Sequence, residues 1–380
     1  MSEITSLREL DQDRLLAPAS GQAGTDAIGA QTDAQAAAVW IRAKAGRTPN
    51  TFDAYRREAI RLLVWLDENG LSLKEMKVDH AHLFFAHLAS PPSHWLRPRK
   101  PPRGTVLAPT QLLSGPLSAS SVDYTRTVLG GMCSYLQDAG YLQYNVFKLS
   151  LKPAVVITEH QERALHLDSW FWLWEWVCAR PHGNARTTAA AVRARWLFAL
   201  LYHSGMRREE AARGVMGDFV RTDQGWFLRI VGKGLKERLV AVNSSLLTEL
   251  MRYRKSWSLA EFPHPGETFP LVASINARAR SLTLTPRSIG LLVQELAQAA
   301  AGDCDDEQIR DQIVRMTTHW MRHTNATHRL AAGAALETTQ DDLGHADPRT
   351  TRIYARTIDS KRQEDAQKLA NMQPPSPAFP

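Results

Sequence analysis

The chain of 380 residues carries 46 Lys and Arg against 39 Asp and Glu, which gives a formal net charge of +7 and a pI of about 9.4. This length predicts roughly two to three domains with a buried core, and the modest positive excess suits a polyanionic partner without requiring one. The three cysteines, Cys133, Cys178 and Cys304, are scattered, which excludes a disulfide scaffold and favours a reducing compartment. No apolar run reaches about 18 residues and the N-terminus lacks an apolar signal core, so we expect a soluble, intracellular protein.

The first segment, residues 1–34, is rich in Ala, Gly, Gln, Thr and Asp and shows no sustained hydrophobic period. Such a composition is typical of a poorly ordered arm. A regulatory or DNA-contacting arm is the alternative interpretation, and no residue of the segment favours it.

A helical pattern begins at Thr51 and ends at Gly70, with its apolar residues on one face. Residues 72–75 form a capping-box signature that predicts a short helix, and another helix is expected over Val78–Leu88. Three arginines lie off the apolar face of the first helix: Arg56, Arg57 and Arg61. A solvated helix face is the simplest interpretation of these arginines, and contact with phosphates is the alternative.

The segment 90–117 interrupts the helical pattern, because it holds seven of the 20 prolines of the chain. Its basic residues stand between those prolines: Arg97, Arg99, Lys100 and Arg103. A Pro-rich basic segment is expected to form an extended loop that buries no core. It would either lie along a phosphate backbone or serve as an exposed linker.

Helical spacing resumes at Ser120 and stops at Gly140, and residues 147–165 are interpreted as a linker. Four tryptophans then alternate from 170 to 176, as in a strand. Asp168 is a good N-cap before them and Pro181 a good stop after them, so we predict a short helix whose tryptophans pack in the core or between domains. A platform for stacking bases is the alternative interpretation.

The rest of the chain combines helices with one hairpin. An apolar helix over 187–203 ends at Gly205, which puts Arg207 at the start of the next helix. Lys233 is expected near the tip of a turn between two strands. The remaining predictions are those two strands, a helix and an acidic solvated loop: Trp226–Val231, Glu237–Val242, 285–300 and 301–311.

A helix through 319–323 would bring His319, Arg322 and His323 onto one face, because they occupy positions i, i+3 and i+4. A guanidinium donates a planar fork to two phosphate oxygens and an imidazole moves protons near neutrality, so the set suits a phosphate. Two histidines at this spacing also suit zinc. A metalloprotease helix, however, needs a glutamate after the first histidine, where this chain has Trp320, and Arg322 would repel a dication.

These residues belong to four short motifs in the second half of the chain. In order, they are Gly205-Met206-Arg207-Arg208-Glu209-Glu210, Gly232-Lys233-Gly234-Leu235-Lys236-Glu237-Arg238, His319-Trp320-Met321-Arg322-His323, and Leu343-Gly344-His345 followed by Tyr354. Each motif alone is a weak signal. Four in this order, with these spacings, resemble the arginine box, lysine hairpin, H-x-x-R-H box and L-G-H…Y box of the tyrosine recombinases, the phage-integrase family.

The resemblance implies a mainly α fold with a small β-sheet, in which a helical, SAM-like core-binding domain precedes a catalytic domain. It also implies a C-terminal tail that packs on a neighbouring subunit; a tail that folds back on its own domain, or frays, is the alternative. The expected boundaries are 1–34 for the arm, 35–150 for the core-binding domain with the Pro-rich insertion at 90–117, 165–362 for the catalytic domain and 363–380 for the tail.

The resemblance further implies the chemistry. Tyr354 would attack a DNA phosphodiester, form a 3′-phosphotyrosine and release a 5′-hydroxyl. Arg207 and Arg322 would stabilise the charge that grows on the phosphate oxygens, and Lys233 would protonate the leaving 5′-oxygen as a general acid. A free tyrosine has a pKa near 10, so it needs this help to act near neutrality.

Four more residues take roles by the same resemblance. His319 would assist proton transfer at the tyrosine, and His345 would hydrogen-bond the phosphate. Glu210 would support the first arginine, and His323 has a supporting role only. No metal and no other cofactor is implied. The expected DNA contacts are Arg56, Arg57, Arg61, Arg97, Arg99, Lys100 and Arg103.

The function implied is that of a site-specific recombinase or integrase, of the kind carried by mobile genetic elements. It would act as a tetramer on duplex DNA with specific recombination sites, in the cytoplasm at the nucleoid. A type IB topoisomerase shares the chemistry but relaxes supercoils as a monomer. A catalytically silent DNA-binding regulator is the other alternative, and the intact set of six catalytic residues speaks against it.

Overall fold

The computed structural model describes residues 27–45, 49–98, 108–150, 163–181, 183–232, 234, 236–276 and 282–344, in a chain that forms two compact units, Met1–Ile157 and Thr158–Pro380. Both units are mainly helical, and the second also contains a small antiparallel sheet, which confirms the predicted fold class. Within the described ranges, no helix combines the length and the apolar character that a bilayer crossing requires.

The first unit packs its described helices around a core rich in aromatic side chains. Trp40 stacks on Tyr55 with ring centroids 4.7 Å apart, and Trp65 meets Phe84 edge to face. The helices are α1 Asp33–Ala45, α2 Pro49–Glu68, α3 Val78–Ala89, α4 Ala119–Asp138 and α5 Val146–Leu149. The sequence pattern does not predict α1, because the buried face of this helix is built largely from alanines, which give a weak hydrophobic signal.

The short helix predicted at 72–75 is wrong. The capping contacts exist, since the backbone N–H and the hydroxyl of Ser72 both donate to the Glu75 carboxylate, at 2.9 and 2.7 Å, but they close only a turn. The N–H of Leu73 donates to Asp33 instead, at 2.7 Å, and the Leu73 side chain is buried. Because α3 begins at Val78, too few residues remain between the two elements to propagate a helix.

The expectation that the Pro-rich segment buries no core is also wrong. Trp95 and Leu113 are both fully buried, and the backbone N–H of Leu113 donates to the Trp95 carbonyl at 3.0 Å. The indole N–H of Trp95 donates to the Glu68 carboxylate at 2.8 Å, which satisfies its one polar atom. Arg97 follows shortly after and is exposed, whereas Arg99, Lys100 and Arg103 lie outside the described residues.

The second unit holds the remaining described α-helices and the three strands. They are α6 Leu167–Cys178, α7 Ala185–Ser204, α8 Arg208–Arg213, β1 Phe219–Thr222, β2 Gly225–Val231, β3 Glu237–Ala241, α9 Ser244–Ser256, α10 Pro286–Gly302, α11 Glu307–Val314, α12 Thr318–Ala331 and α13 Leu336–Leu343. The sheet has the order β1-β2-β3, and Val231 of β2 pairs with Glu237 of β3 at the hairpin. The predicted hairpin and the predicted tryptophan-bearing helix α6 are both present, while β1 is an element that the sequence pattern does not predict.

The acidic segment 301–311 is not the solvated loop that its composition predicts. Helix α10 extends to Gly302, and α11 begins within the acidic run because the Asp306 carboxylate accepts from the N–H of Ile309 at 3.0 Å as an N-cap. Asp303 accepts from the indole N–H of Trp176 at 2.8 Å. Two of the acidic residues therefore stabilise local structure: Asp306 caps α11, and Asp303 fixes the Trp176 side chain.

Candidate active site

The first arginine motif lies where α7 ends and α8 begins. Gly205 terminates α7 in the left-handed conformation, with φ +59°, and its N–H donates to the Leu201 carbonyl. Arg207 is the N-cap of α8, and its backbone N–H donates to the carboxylate of Glu210 at 2.7 Å, as in a capping box. The short turn therefore fixes the backbone of Arg207, while its side chain stays partly exposed.

Helix α12 carries His319, Arg322 and His323 and lies against the end of α7. The Asn325 side-chain amide donates to the Tyr202 carbonyl at 2.6 Å, which satisfies one of the carbonyls that a helix end leaves without an internal partner. The hydroxyl of Thr324 accepts from the N–H of Leu165 at 2.9 Å. The bond from Asn325 fixes the register of α12 relative to α7.

Arg322 is 2% exposed and links two motifs. Its Nη1 donates to the Gly205 carbonyl at 2.7 Å, and its Nη2 donates to the Leu343 carbonyl. A buried guanidinium is costly unless it is hydrogen-bonded, so these carbonyls stabilise the charge inside the protein. The third motif is thereby connected to the chain just before Arg207 and to the chain just before Gly344.

Glu210 lies buried between two arginines. Its carboxylate accepts from Nη1 of Arg207 at 3.1 Å and from both terminal nitrogens of Arg238, at 3.0 and 2.7 Å. Burial by itself would raise the pKa of Glu210, but the hydrogen bonds from Arg238 and Arg207 and their positive charges hold that pKa below its ordinary value. The carboxylate is therefore ionised near neutrality.

The two histidines of α12 meet edge to face, with ring centroids of His319 and His323 4.3 Å apart. Partial burial lowers the pKa of His319, and neighbouring positive charges lower it further, so the ring is neutral near pH 7. Those charges belong to Arg322, Arg163 and Arg207. Within the described ranges, no group of three or more His, Cys, Asp or Glu has the arrangement of a metal site.

The structure brings together five of the predicted residues: Arg207, Glu210, His319, Arg322 and His323. Lys233, His345 and Tyr354 lie outside the described residues. Two further residues of the site, Arg163 and Arg238, are not among the predicted ones. Strand alternation could have identified Arg238, because it faces the same side of β3 as the buried Val240, and an inward arginine needs a partner.

A second group of predicted residues lines a groove of the first unit. A space of about 410 Å³ beside the first turn of α4 is lined by Arg57, Arg61 and Arg97. An adjoining concavity is lined by Arg56, Arg57 and Arg97. Arg61 is less exposed than expected, since its Nη1 donates to the buried Glu58 carboxylate at 2.8 and 2.9 Å. The expectation that Arg61 lies off the buried face is wrong, because this ion pair offsets the cost of burying its charge.

Comparison with known proteins matches residues 182–361 to the phage integrase family. The tyrosine recombinase XerC of Bradyrhizobium diazoefficiens is 34% identical over 180 residues, which are 47% of this chain and 50% of that protein. The tyrosine recombinase XerD of Corynebacterium glutamicum is 27% identical over 322 residues, covering 84% of this chain and 91% of that protein. For most of the similar curated relatives, the chain spans about half of their length.

The fold is shared with a solved structure of the XerH site-specific recombinase bound to a palindromic difH substrate. The TM-score is 0.59 with 18% identity, over 96% of this chain and 94% of that one.

The close fit at Gly205 gives a stability prediction. A methyl group there would lie 2.7 Å from both the Asn325 Oδ1 and a Leu343 methyl carbon, in addition to the left-handed strain. Gly205→Ala should therefore cost about 3 kcal/mol of unfolding free energy. Gly333→Ala is the matched control, since Gly333 has φ +91° but no neighbour within 4 Å, and it should cost about 1 kcal/mol. Urea unfolding measures both, and an equal destabilisation of the two variants would contradict the prediction.

Proposed function

We propose that the chain is a site-specific DNA recombinase of the phage integrase family that cleaves and rejoins strands through a 3′-phosphotyrosine, because residues 182–361 match that family and tyrosine recombinases are among its similar relatives. One observation carries the proposal: Arg207, Arg322 and a neutral His319 converge from two motifs that are distant in sequence. The two guanidiniums can stabilise the negative charge that grows on a phosphodiester during attack. The neutral imidazole can accept the proton that the nucleophile must lose.

The proposed reaction proceeds by one displacement and its reverse. The Tyr354 oxygen attacks phosphorus, the bond from phosphorus to the 5′-oxygen breaks, and Lys233 donates the proton that makes the 5′-hydroxyl. Arg207 and Arg322 stabilise the extra charge on the non-bridging oxygens, and His319 assists the departure of the tyrosine proton. Attack by a 5′-hydroxyl of another strand reverses these steps. The phosphotyrosine bond conserves the free energy of the phosphodiester bond that was broken, so no cofactor is consumed.

Arg322 need not change partners for this role, because each terminal nitrogen of a guanidinium carries two N–H groups. Both terminal nitrogens of its guanidinium now donate to carbonyls, those of Gly205 and Leu343. A phosphate oxygen carries more negative charge than a carbonyl and forms a stronger, charge-assisted hydrogen bond. Phosphate binding therefore does not require the guanidinium to release the Gly205 and Leu343 carbonyls, which hold it in place.

The groove of the first unit supports duplex DNA as the partner. Arg57 and Arg97 are exposed along it, and Ser120 and Ser121 line it at the first turn of α4. The dipole of a helix N-terminus favours phosphate, and Arg57 and Arg97 add to that preference beside the buried Glu58 carboxylate, which also lines the groove and pairs with Arg57 and Arg61. We propose that this groove contacts the DNA backbone, and that the protein acts as a tetramer on two sites at the nucleoid.

The family chemistry also serves type IB topoisomerases, and the fold can serve a silent DNA-binding regulator. Recombination of a plasmid with two sites separates the three possibilities. A recombinase exchanges the intervening segment, a topoisomerase only relaxes the plasmid, and a regulator does neither. Sequencing the junctions would identify the target site.

Tyr354→Phe should abolish the covalent adduct between protein and DNA, because only the nucleophilic hydroxyl is removed. DNA affinity should stay within about twofold, since an isolated hydroxyl adds little to a phosphate-dominated interface. Adduct formation on a nicked suicide substrate, resolved by denaturing electrophoresis, is the measurement. Tyr144→Phe, which alters an exposed tyrosine of the first unit, should form adduct at the wild-type rate. An adduct with the Tyr354 variant would refute the nucleophile assignment.

The pH dependence of cleavage should follow the ring of His319. Burial and the neighbouring arginines lower the pKa of His319, so the ring stays neutral near neutrality and the adduct rate should decline only in more acidic solution than for an ordinary histidine, where protonation removes the acceptor. Arg163→Gln deletes one of the charges that lower this pKa, so the acid limb of the rate and the NMR titration of His319 should both move to higher pH. Arg315→Gln, an exposed arginine of the same unit that is not among those charges, is the control. No movement, or movement to lower pH, would contradict the electrostatic assignment.

The groove should contribute affinity that does not depend on DNA sequence. Arg57→Gln with Arg97→Gln should reduce the slope of log Kobs against log salt by roughly 0.9 for each phosphate that the variant no longer neutralises. Lys74→Gln in the same unit is a control of equal charge per site, because Lys74 lies over the Tyr141 ring and does not line the groove. Fluorescence anisotropy titrations at several salt concentrations give the slopes. A slope unchanged from wild type in the double variant would exclude the groove as a DNA contact.

A further inference from the structure

Arg238 contacts the motif segments more extensively than any role in the reaction scheme explains. Its side chain, on the inward face of β3, is 10% exposed. Both terminal nitrogens donate to the Glu210 carboxylate, at 3.0 and 2.7 Å, and Nε donates to the Asp342 carbonyl at 2.7 Å. One planar group therefore connects β3, the first turn of α8 and the last turn of α13.

The ion pair of Arg238 and Glu210 also lies against the residues that precede two of the predicted catalytic positions. A methyl group on Gly344, the residue before His345, would lie 3.2 Å from Cδ of Arg238. A methyl group on Gly232, the residue before Lys233, would lie 3.5 Å from Nη1 of Arg238 and from Oε1 of Glu210. The third connection is Arg207, whose backbone and side chain both donate to Glu210.

We propose that Arg238 is a positioning residue that sets the mutual placement of Arg207 and of the chain entering Lys233 and His345, an inference that rests on the proposed function. Its fork satisfies both Glu210 oxygens while the third nitrogen holds the last turn of α13. A lysine has the charge but no planar fork, so it cannot make the three hydrogen bonds together. Removal of the fork lets the three segments move independently, and misplacement by about 1 Å costs on the order of 100-fold in rate.

A second buried pair in the same unit provides a matched control. Arg254 donates to both oxygens of Glu267, at 2.7 and 3.1 Å, and to the carbonyls of Ala260 and Phe262. The chemistry equals that of the Arg238 pair, but each of these bonds falls within one stretch of chain outside the four motifs. A purely structural ion pair should behave like Arg254, and a positioning pair should not.

The experiment compares Arg238→Lys and Arg254→Lys in the full chain. Each variant is measured for DNA affinity, for single-turnover adduct formation on a nicked substrate, and for hydrogen exchange at the amides of Arg207 and Gly344. We expect both variants to bind DNA within about twofold of wild type. Adduct formation should slow about 100-fold in Arg238→Lys only, and both amides should exchange faster in that variant only.

If Arg238→Lys does not fold, Arg238→Gln with Glu210→Gln replaces the pair by neutral amides and leaves no charge of that pair buried without its partner. This double variant should fold and still cleave about 100-fold more slowly. Cleavage within about threefold of wild type by a folded variant, with unchanged exchange at both amides, would overturn the proposal. If the wild-type chain forms no adduct, the recombinase function fails, and the exchange comparison alone decides for or against Arg238.

Discussion

The buried carboxylate of Glu210 is the group around which the candidate site is built. Removal of a carboxylate from water costs several kcal/mol, and that cost is offset only if its oxygens are fully hydrogen-bonded by cations in good geometry. Glu210 meets this condition with the backbone N–H of Arg207, one nitrogen of the Arg207 side chain and two of Arg238. Its lowered pKa shows that the partners outweigh the burial. The start of α8 and the inward face of β3 are held together as a result.

Much of this arrangement follows from local sequence. Spacing and turn chemistry predict Gly205 as the stop of α7, Arg207 at the start of α8, the hairpin around Lys233 and the helical face of His319 and Arg322. These features are local, because helix ends and hairpins are set by residues close together in the chain. The assignment of catalytic roles stays a prediction, since Lys233, His345 and Tyr354 lie outside the described residues.

The features that sequence does not predict depend on partners distant in the chain or on burial that no local pattern indicates. Trp95 is buried, and its indole N–H donates to the Glu68 carboxylate on α2. No local sequence pattern predicts this contact. Arg61 is buried because it pairs with the buried Glu58 beside it. An arginine on a helix is usually exposed to solvent, so sequence alone predicts the opposite. Arg238 belongs to this class, since its partners lie 28 and 104 residues away. Tertiary pairing of charges overrides the exposure that composition predicts.

The charge balance of the site is the physical reason to propose an anionic substrate. Among the described residues, the site gathers four guanidiniums. Arg207 and Arg238 donate to Glu210, Arg322 donates to two carbonyls, and Arg163 adds its charge near His319. Burial lowers the pKa of His319, and this positive charge lowers it further. Inside a partly buried site such an excess is a cost to folding that an incoming phosphate would remove, because the opposite charge is supplied where solvent screening is weak. The same excess that adds to burial in keeping His319 neutral, and able to accept a proton, therefore also favours the phosphodiester on which the proposed reaction acts.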